Sequence, residues 1–121
     1  MVRLTCLLRR RDGMSPAQFH DHWRRVHGPL IPATRSGSHV VRYEQHPRPL
    51  SDYSGEDDPG YDGVTVQWFD SMAEYRAHTA EEDFAVVWAD ITSFLDVDRL
   101  EFVVTEEPRL VIGTPGAWPL A

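Results

Sequence analysis

"VRLTCLLRRRDGMSPAQFHDHWRRVHGPL", residues 2–30, reads as strand, turn and helix in immediate succession. Val2 to Arg9 is apolar and β-branched enough for a strand, and "RDG" supplies a turn. Ser15 is a strong helix start: Pro16 takes the first helical position and Gln18 stands three residues after the serine, the pattern of a capping box. Phe19, Trp23 and Val26 follow at i, i+4 and i+7 and give the helix an apolar stripe. Gly28-Pro29 is expected to end it.

The rest of the chain repeats this order. "SHVVRYEQH" (38–46) reads as a second strand, with His39, Val41, Tyr43 and Gln45 on one face and Val40, Arg42, Glu44 and His46 on the other. Residues 47–63 are a Pro-, Gly- and acid-rich loop. "VTVQWF" (64–69) is a third strand: Thr65, Gln67 and Phe69 share one face, Val64, Val66 and Trp68 the other. "SMAE" (71–74) opens a helix, "TAEE" (79–82) opens a further turn, and Phe84, Val87, Trp88, Ile91 and Phe94 fit a helical apolar face. "RLEFVVTEE" (99–107) is a fourth strand.

The sum is an α+β chain of ferredoxin-like order, β-α-β-β-α-β, with a four-stranded antiparallel sheet and helices on one face. Residues 1–107 form this domain and 108–121 a Pro- and Gly-rich tail. Thr65 and Gln67, with His39 and Tyr43, put polar groups on one sheet face. That face is expected to be the open one and to line a cavity. Residues 51–60, polar and with few apolar groups to bury, are expected to be mobile.

A chain of 121 residues makes one domain with one core. Its net charge of −7 argues against a nucleic-acid partner, which needs a basic face, and against an anionic membrane surface. The N-terminal apolar run is too short for a signal peptide, and no run approaches a membrane span of about 18 residues. Cys6 is the only cysteine, so no intrachain disulfide forms and a reducing cytoplasm is the expected location.

Three histidines crowd the first helix. At about 100° per residue, His20 and His22 face opposite ways, and His20 and His27 stand about 10 Å apart along a regular helix. No H-x-x-x-H, H-E-x-x-H or cysteine pair is present, so no metal site is expected. His20 reads as a solvated helix residue, and His22 as packing beside Phe19 and Val26. His27, at the expected helix end, admits two readings: a cap on the last carbonyls, or a proton carrier with a pKa near neutrality. Arg9, Arg10 and Arg11 read as solvated charges.

The first 30 residues resemble the signature of the EthD family: a strand ending in basic residues, a Gly turn, then F-x-x-x-W-x-x-x-H-x-P-L (Phe19, Trp23, His27, Pro29, Leu30). "RYEQHP" (42–47), "YDGVTVQWFDSMAEY" (61–75) and "RLEFVVTEE" (99–107) resemble that family's later segments. The resemblance implies a ferredoxin-like domain that pairs into a dimeric α+β barrel. It implies the company of lactone isomerases, polyketide cyclases, decarboxylases and cofactor-free monooxygenases. His27 matches a histidine that serves acid–base chemistry in lactone isomerases of this kind.

The expectation is a cofactor-independent enzyme acting on a small aromatic, polyketide-like or lactone substrate. His27 would be the acid/base, Tyr43, His39 or Gln67 would hold the developing enolate oxygen, and Phe19, Trp23 and Thr65 would wall the pocket. An oxygenase of the same fold, cofactor-free or haem-assisted, and a non-catalytic ligand-binding protein are the alternatives. The expected partner is a second copy of the chain, with Leu110, Val111 and Ile112 against it or along a sheet edge.

Overall fold

The computed structural model describes residues 1–115. The elements run β1 (Val2–Leu8), α1 (Pro16–His22), a π-helical turn (Trp23–His27), α2 (Gly28–Leu30) and two 3-10 turns (Ile31–Ala33 and Ser36–His39). Then come β2 (Arg42–Pro47), a 3-10 turn (Leu50–Asp52), β3 (Gly63–Phe69), α3 (Met72–Ala80), α4 (Phe84–Phe94), a 3-10 turn (Val97–Arg99) and β4 (Glu101–Thr105). The sheet order is β2-β3-β1-β4, with every neighbouring pair antiparallel. This is the ferredoxin-like arrangement. No helix among the described residues is long and apolar enough to cross a membrane.

The N-terminal signals act as read. Ser15 Oγ accepts from Gln18 N–H at 3.1 Å, and Gln18 Oε1 accepts from Ser15 N–H at 2.9 Å, closing the capping box over Pro16. Ser71 caps α3 by accepting from Glu74 N–H, but the Glu74 carboxylate turns away to His39. "TAEE" opens no helix: Glu81 and Asp83 bind elsewhere, and α4 begins at Phe84.

Three expectations fail in instructive ways. Gly28-Pro29 does not end the first helix. The chain stays right-handed helical through α2, with a wide turn immediately before the proline. Pro29 has no N–H and its ring crowds the carbonyl four residues back, so the helix widens there instead of breaking. The second strand starts at Arg42, not Ser38, because residues 36–39 form a 3-10 turn; His39 therefore leaves the strand face that Tyr43 occupies.

The third failure concerns the sheet's faces. Val2, Leu4, Cys6 and Leu8 pair across from Phe69, Gln67, Thr65 and Gly63, and Tyr43 and Gln45 pair across from Gln67 and Thr65. This is the face the helices cover, since Leu8, Phe69, Phe19, Trp23 and Phe94 are all buried there. The Thr65–Gln67–Tyr43 face is thus the covered floor. The open face carries Leu7, Val64, Val66 and Val103. Packing settles the parity. A Cβ on Gly63 would lie 2.6 Å from the Trp23 indole, so the ring seats directly on the bare glycine.

Several polar contacts anchor the 48–62 loop. Asp62, 1% exposed, accepts from the Arg10 backbone N–H at 2.8 Å and from its guanidinium at 2.7 Å. Arg10 also donates to the carbonyls of Glu56 and Asp58, so it is no solvated charge. Arg48 pairs with Asp52 and Asp58 and stacks 4.0 Å over the Tyr53 ring.

Candidate active site

The π-helical turn shapes the site. The Gly28 N–H reaches back to the Trp23 carbonyl, a bond spanning five residues. On a regular α-helix, residues five apart diverge by about 140°. Across this turn His22 and His27 come to one side, where both meet α4. His22 Nε2 lies 2.9 Å from Asp90 Oδ1, and His27 Nδ1 lies 2.7 Å from Asp90 Oδ2. Phe94, one turn further on, packs against both rings at centroid distances of 4.8 and 5.0 Å.

The pair is unequal. The His27 side chain is 8% exposed and that of His22 is 24%. Burial pushes His27 below the ordinary imidazole range; the hydrogen bond and charge of Asp90 oppose that without cancelling it, and His22 adds to the depression. His27 is therefore a neutral imidazole at pH 7. Its Nδ1–H donates to the carboxylate, which fixes the tautomer and leaves the lone pair on Nε2. Among the described residues nothing hydrogen-bonds that nitrogen. The arrangement can accept a proton at Nε2 and stabilise the resulting imidazolium through Asp90.

Beside it lies a polar floor. The Gln45 amide donates to the Trp23 carbonyl at 2.9 Å and to the Tyr43 hydroxyl at 3.2 Å. A Cβ on Gly28 would sit 3.2 Å from that amide, so the helix reaches the sheet closely at this point. Burial raises the Tyr43 phenol above its usual range, while Gln45 and Trp23 pull the other way. Trp23 Nε1 and Gln67 Oε1 are buried without a well-formed hydrogen bond, one donor and one acceptor, and the indole N–H acts on the neighbouring Tyr43 hydroxyl. Such groups each cost about 1–3 kcal/mol when left unmade. Thr65, 6% exposed, adjoins the Cys6 thiol.

Of the residues singled out in the sequence, the structure brings Trp23, Tyr43, Thr65 and Gln67 to this floor, with Phe19 packed on Trp23 at 5.4 Å. His39 is elsewhere. It bridges Glu74 at 2.7 Å and Glu81 at 2.9 Å, fastening the 36–39 turn to α3, and those carboxylates raise its pKa. His20 is not solvated; its Nε2–H donates to the Tyr53 hydroxyl at 3.1 Å, and that hydroxyl donates to Asp62 at 2.7 Å. His22 belongs to the Asp90 pair rather than to an apolar contact with Val26, which is 49% exposed. Among the described residues no group of three His, Cys, Asp or Glu side chains is arranged to hold a metal ion.

Asp90 is the residue sequence reasoning missed. It is the only charged side chain in α4, set among Val87, Trp88, Ile91 and Phe94, and an acid alone on an apolar helix is a signal of a buried partner. Two clefts open nearby. One of about 500 Å³ lies at the start of α1 between Arg9, Arg11, Asp12, Gln18, Asp57 and Arg99. The other, about 450 Å³, lies between Arg11, Asp12, Gln18, Asp21, His22 and Val26, and so reaches one member of the pair.

The sequence matches the EthD domain model over residues 11–98. No curated protein matches the chain. Among solved structures, the chain is similar to an EthD family protein of Bacillus halodurans, with a TM-score of 0.67, 15% identity, and 89% of this chain and 99% of that one covered. It is similar to a dimeric ferredoxin-like protein of unknown function from Thermobifida fusca, with a TM-score of 0.61, 21% identity, and 86% and 88% covered. It is also similar to SnoaB, a cofactor-independent oxygenase from Streptomyces nogalater, with a TM-score of 0.59, 13% identity, and 91% and 95% covered.

Proposed function

The chain belongs to the EthD family, and on that premise we propose that it is a cofactor-independent enzyme that moves a proton on a small oxygenated substrate through His27. The observation that carries this reading is the 2.7 Å bond from His27 Nδ1 to Asp90, which presets a buried, neutral imidazole as a base. An imidazole held neutral, with its Nε2 lone pair ready to take a proton, suits removal of a proton next to a carbonyl and its return at another atom. Cyclisation, dehydration, isomerisation and decarboxylation of an aromatic, polyketide-like or lactone substrate all need that step.

The floor supplies the other half. The negative charge that develops on the substrate oxygen needs donors already in place. The Trp23 indole N–H, without a well-formed bond, and the neutral Tyr43 hydroxyl beside it are suited to that role. Gln67 and Thr65 would orient the substrate, and Phe19 with Trp23 would exclude water. The open sheet face, with Val103 55% exposed, would be covered by a second copy of the chain. Residues 1–107 would form the barrel half and 108–121 an appendage to it.

His27→Asn tests the reading, because the shorter amide can still donate to Asp90 but cannot act as a base. Turnover on a panel of polyketide-like, phenolic and lactone substrates should fall by roughly 10²–10⁴, while the melting temperature and oligomeric state hold. Full activity in this variant would overturn the assignment. The likeness to SnoaB favours a second reading, an oxygenase on the same site. Stoichiometric oxygen uptake with product formation would decide for it.

A further inference from the structure

Asp90 offers two carboxylate oxygens, and each holds a different histidine. The two rings differ in access. His22 borders the cleft shared by Arg11, Asp12 and Asp21, whereas His27 is buried behind it. A proton arriving from water therefore meets His22 first. We propose that His22 is a positioning residue of this site: it takes up a solvent proton, binds Asp90 as an imidazolium, and by its charge keeps His27 neutral as the medium acidifies. This inference rests on reading His27 as the proton carrier.

The geometry gives each step a cause. An imidazolium at His22 would lie one helical turn from His27, on the same carboxylate. A second proton on His27 then has to be placed beside a like charge, in a region where burial already opposes it. The contribution of His22 to His27 is in that direction.

The other charged groups around them are few. From α4 only Asp90 faces the pair. On the helix itself Asp21 is held by Arg25 at 2.9 Å. Arg11 and Asp12 stand across the cleft from His22. The sheet beneath contributes Cys6 and Tyr43, and burial raises both, so both are neutral at pH 7.

The test is imidazole NMR titration of the ligand-free protein in two variants. In His22→Gln the amide can still donate to Asp90, but its charge is gone. In His22→Lys a positive charge is permanent. The midpoint of His27 should rise by roughly 0.5–1 unit in His22→Gln and stay at or below the wild-type value in His22→Lys. A structural role alone would leave the His27 midpoint equal in both variants and in the wild type, and that result overturns the proposal. So does a fall in His22→Gln.

Because no substrate is involved, the outcome separates cleanly from the catalytic reading. A moved midpoint together with an active His27→Asn protein would sink only the catalysis. An unmoved midpoint together with an inactive His27→Asn protein would sink only the part assigned to His22. Where both hold, the acid limb of kcat/KM should move up with the midpoint in His22→Gln.

Discussion

Replacing Asp90 by asparagine tests how the carboxylate works, and the structure sets the size of the effect. Asp90 accepts from His22 on one oxygen and from His27 on the other. Asparagine keeps one acceptor oxygen and turns a donating NH₂ toward the other ring. That donor must face one of two imidazoles. In the Ser-His-Asp triad the same exchange strands the catalytic ring in the wrong tautomer and costs about 10⁴ in turnover. Here the exposed partner absorbs the mismatch, because His22, 24% exposed, can switch tautomer against water. The amide oxygen therefore stays with His27. What is lost is the difference between a charged and a neutral hydrogen bond, roughly 1–2 kcal/mol. That is roughly 5–30-fold in turnover.

The same exchange moves the pH profile. Asp90 supplies both influences that raise His27, so their loss lowers its pKa further, and the acid limb of activity should shift down in pH. The sign for stability follows. A histidine whose folded pKa lies below its unfolded value contributes stability that is full above the unfolded value, near 6.5. That stability is lost as pH falls through the folded value. Asp90→Asn should therefore lose stability more steeply on acidification than wild type. Turnover against pH and urea melts at pH 5 to 8 measure both effects. An unchanged rate with an acid limb that stays put or moves up would refute the reasoning.

Gly63→Ala should destabilise by roughly 1–3 kcal/mol in urea unfolding, because the new methyl meets the Trp23 indole at 2.6 Å; a neutral result would mean that the ring is not seated on this strand. His39 lies between two carboxylates that raise its pKa above 6.5, so its stabilising contribution is full below that value and fades as pH rises through the folded one. The melting temperature should accordingly decline as pH rises above that unfolded value in wild type and decline less in His39→Ala; parallel curves would contradict this. Val111 and Ile112 are 90% and 92% exposed in the single chain, and removal of residues 108–121 should weaken self-association in sedimentation equilibrium; an unchanged dissociation constant would reject a part for the tail.

Much of the fold was legible because its signals are local. The Ser15–Gln18 box, the first and third strands and the Phe19 and Trp23 part of the helical stripe each specify an element within a few residues and stand as read, whereas Val26, the third member of the stripe, is exposed. The sheet's covered face was less legible. The Val64, Val66 and Trp68 face of β3 is the more apolar, yet the helices cover the Thr65, Gln67 and Phe69 face, and only the seating of Trp23 on Gly63, a contact 40 residues apart in sequence, decides between them. The anchor of the 48–62 loop was hidden for a related reason. The loop's composition is that of a solvated segment, but Asp62 and Arg10 bury a charged pair beneath it, and no local pattern announces a partner 52 residues away.

The site was half legible because its key feature is a departure from helical regularity. Counting at 100° per residue separates His22 from His27 and leaves His27 at a helix end, where a cap is a sufficient account of it. Pro29 removes both premises. Unable to donate, and crowding the preceding turn, it is accommodated by a wider turn rather than a break, so the helix continues past His27 and rotates it into line with His22. A histidine with carbonyls to cap needs no carboxylate. A buried histidine inside a continuous helix does, and Asp90, the lone charge on α4, is placed to meet it. The proline of the signature thus acts at a distance of two residues: it sets the turn that makes a shared acid possible, and the shared acid makes His27 a base rather than a cap.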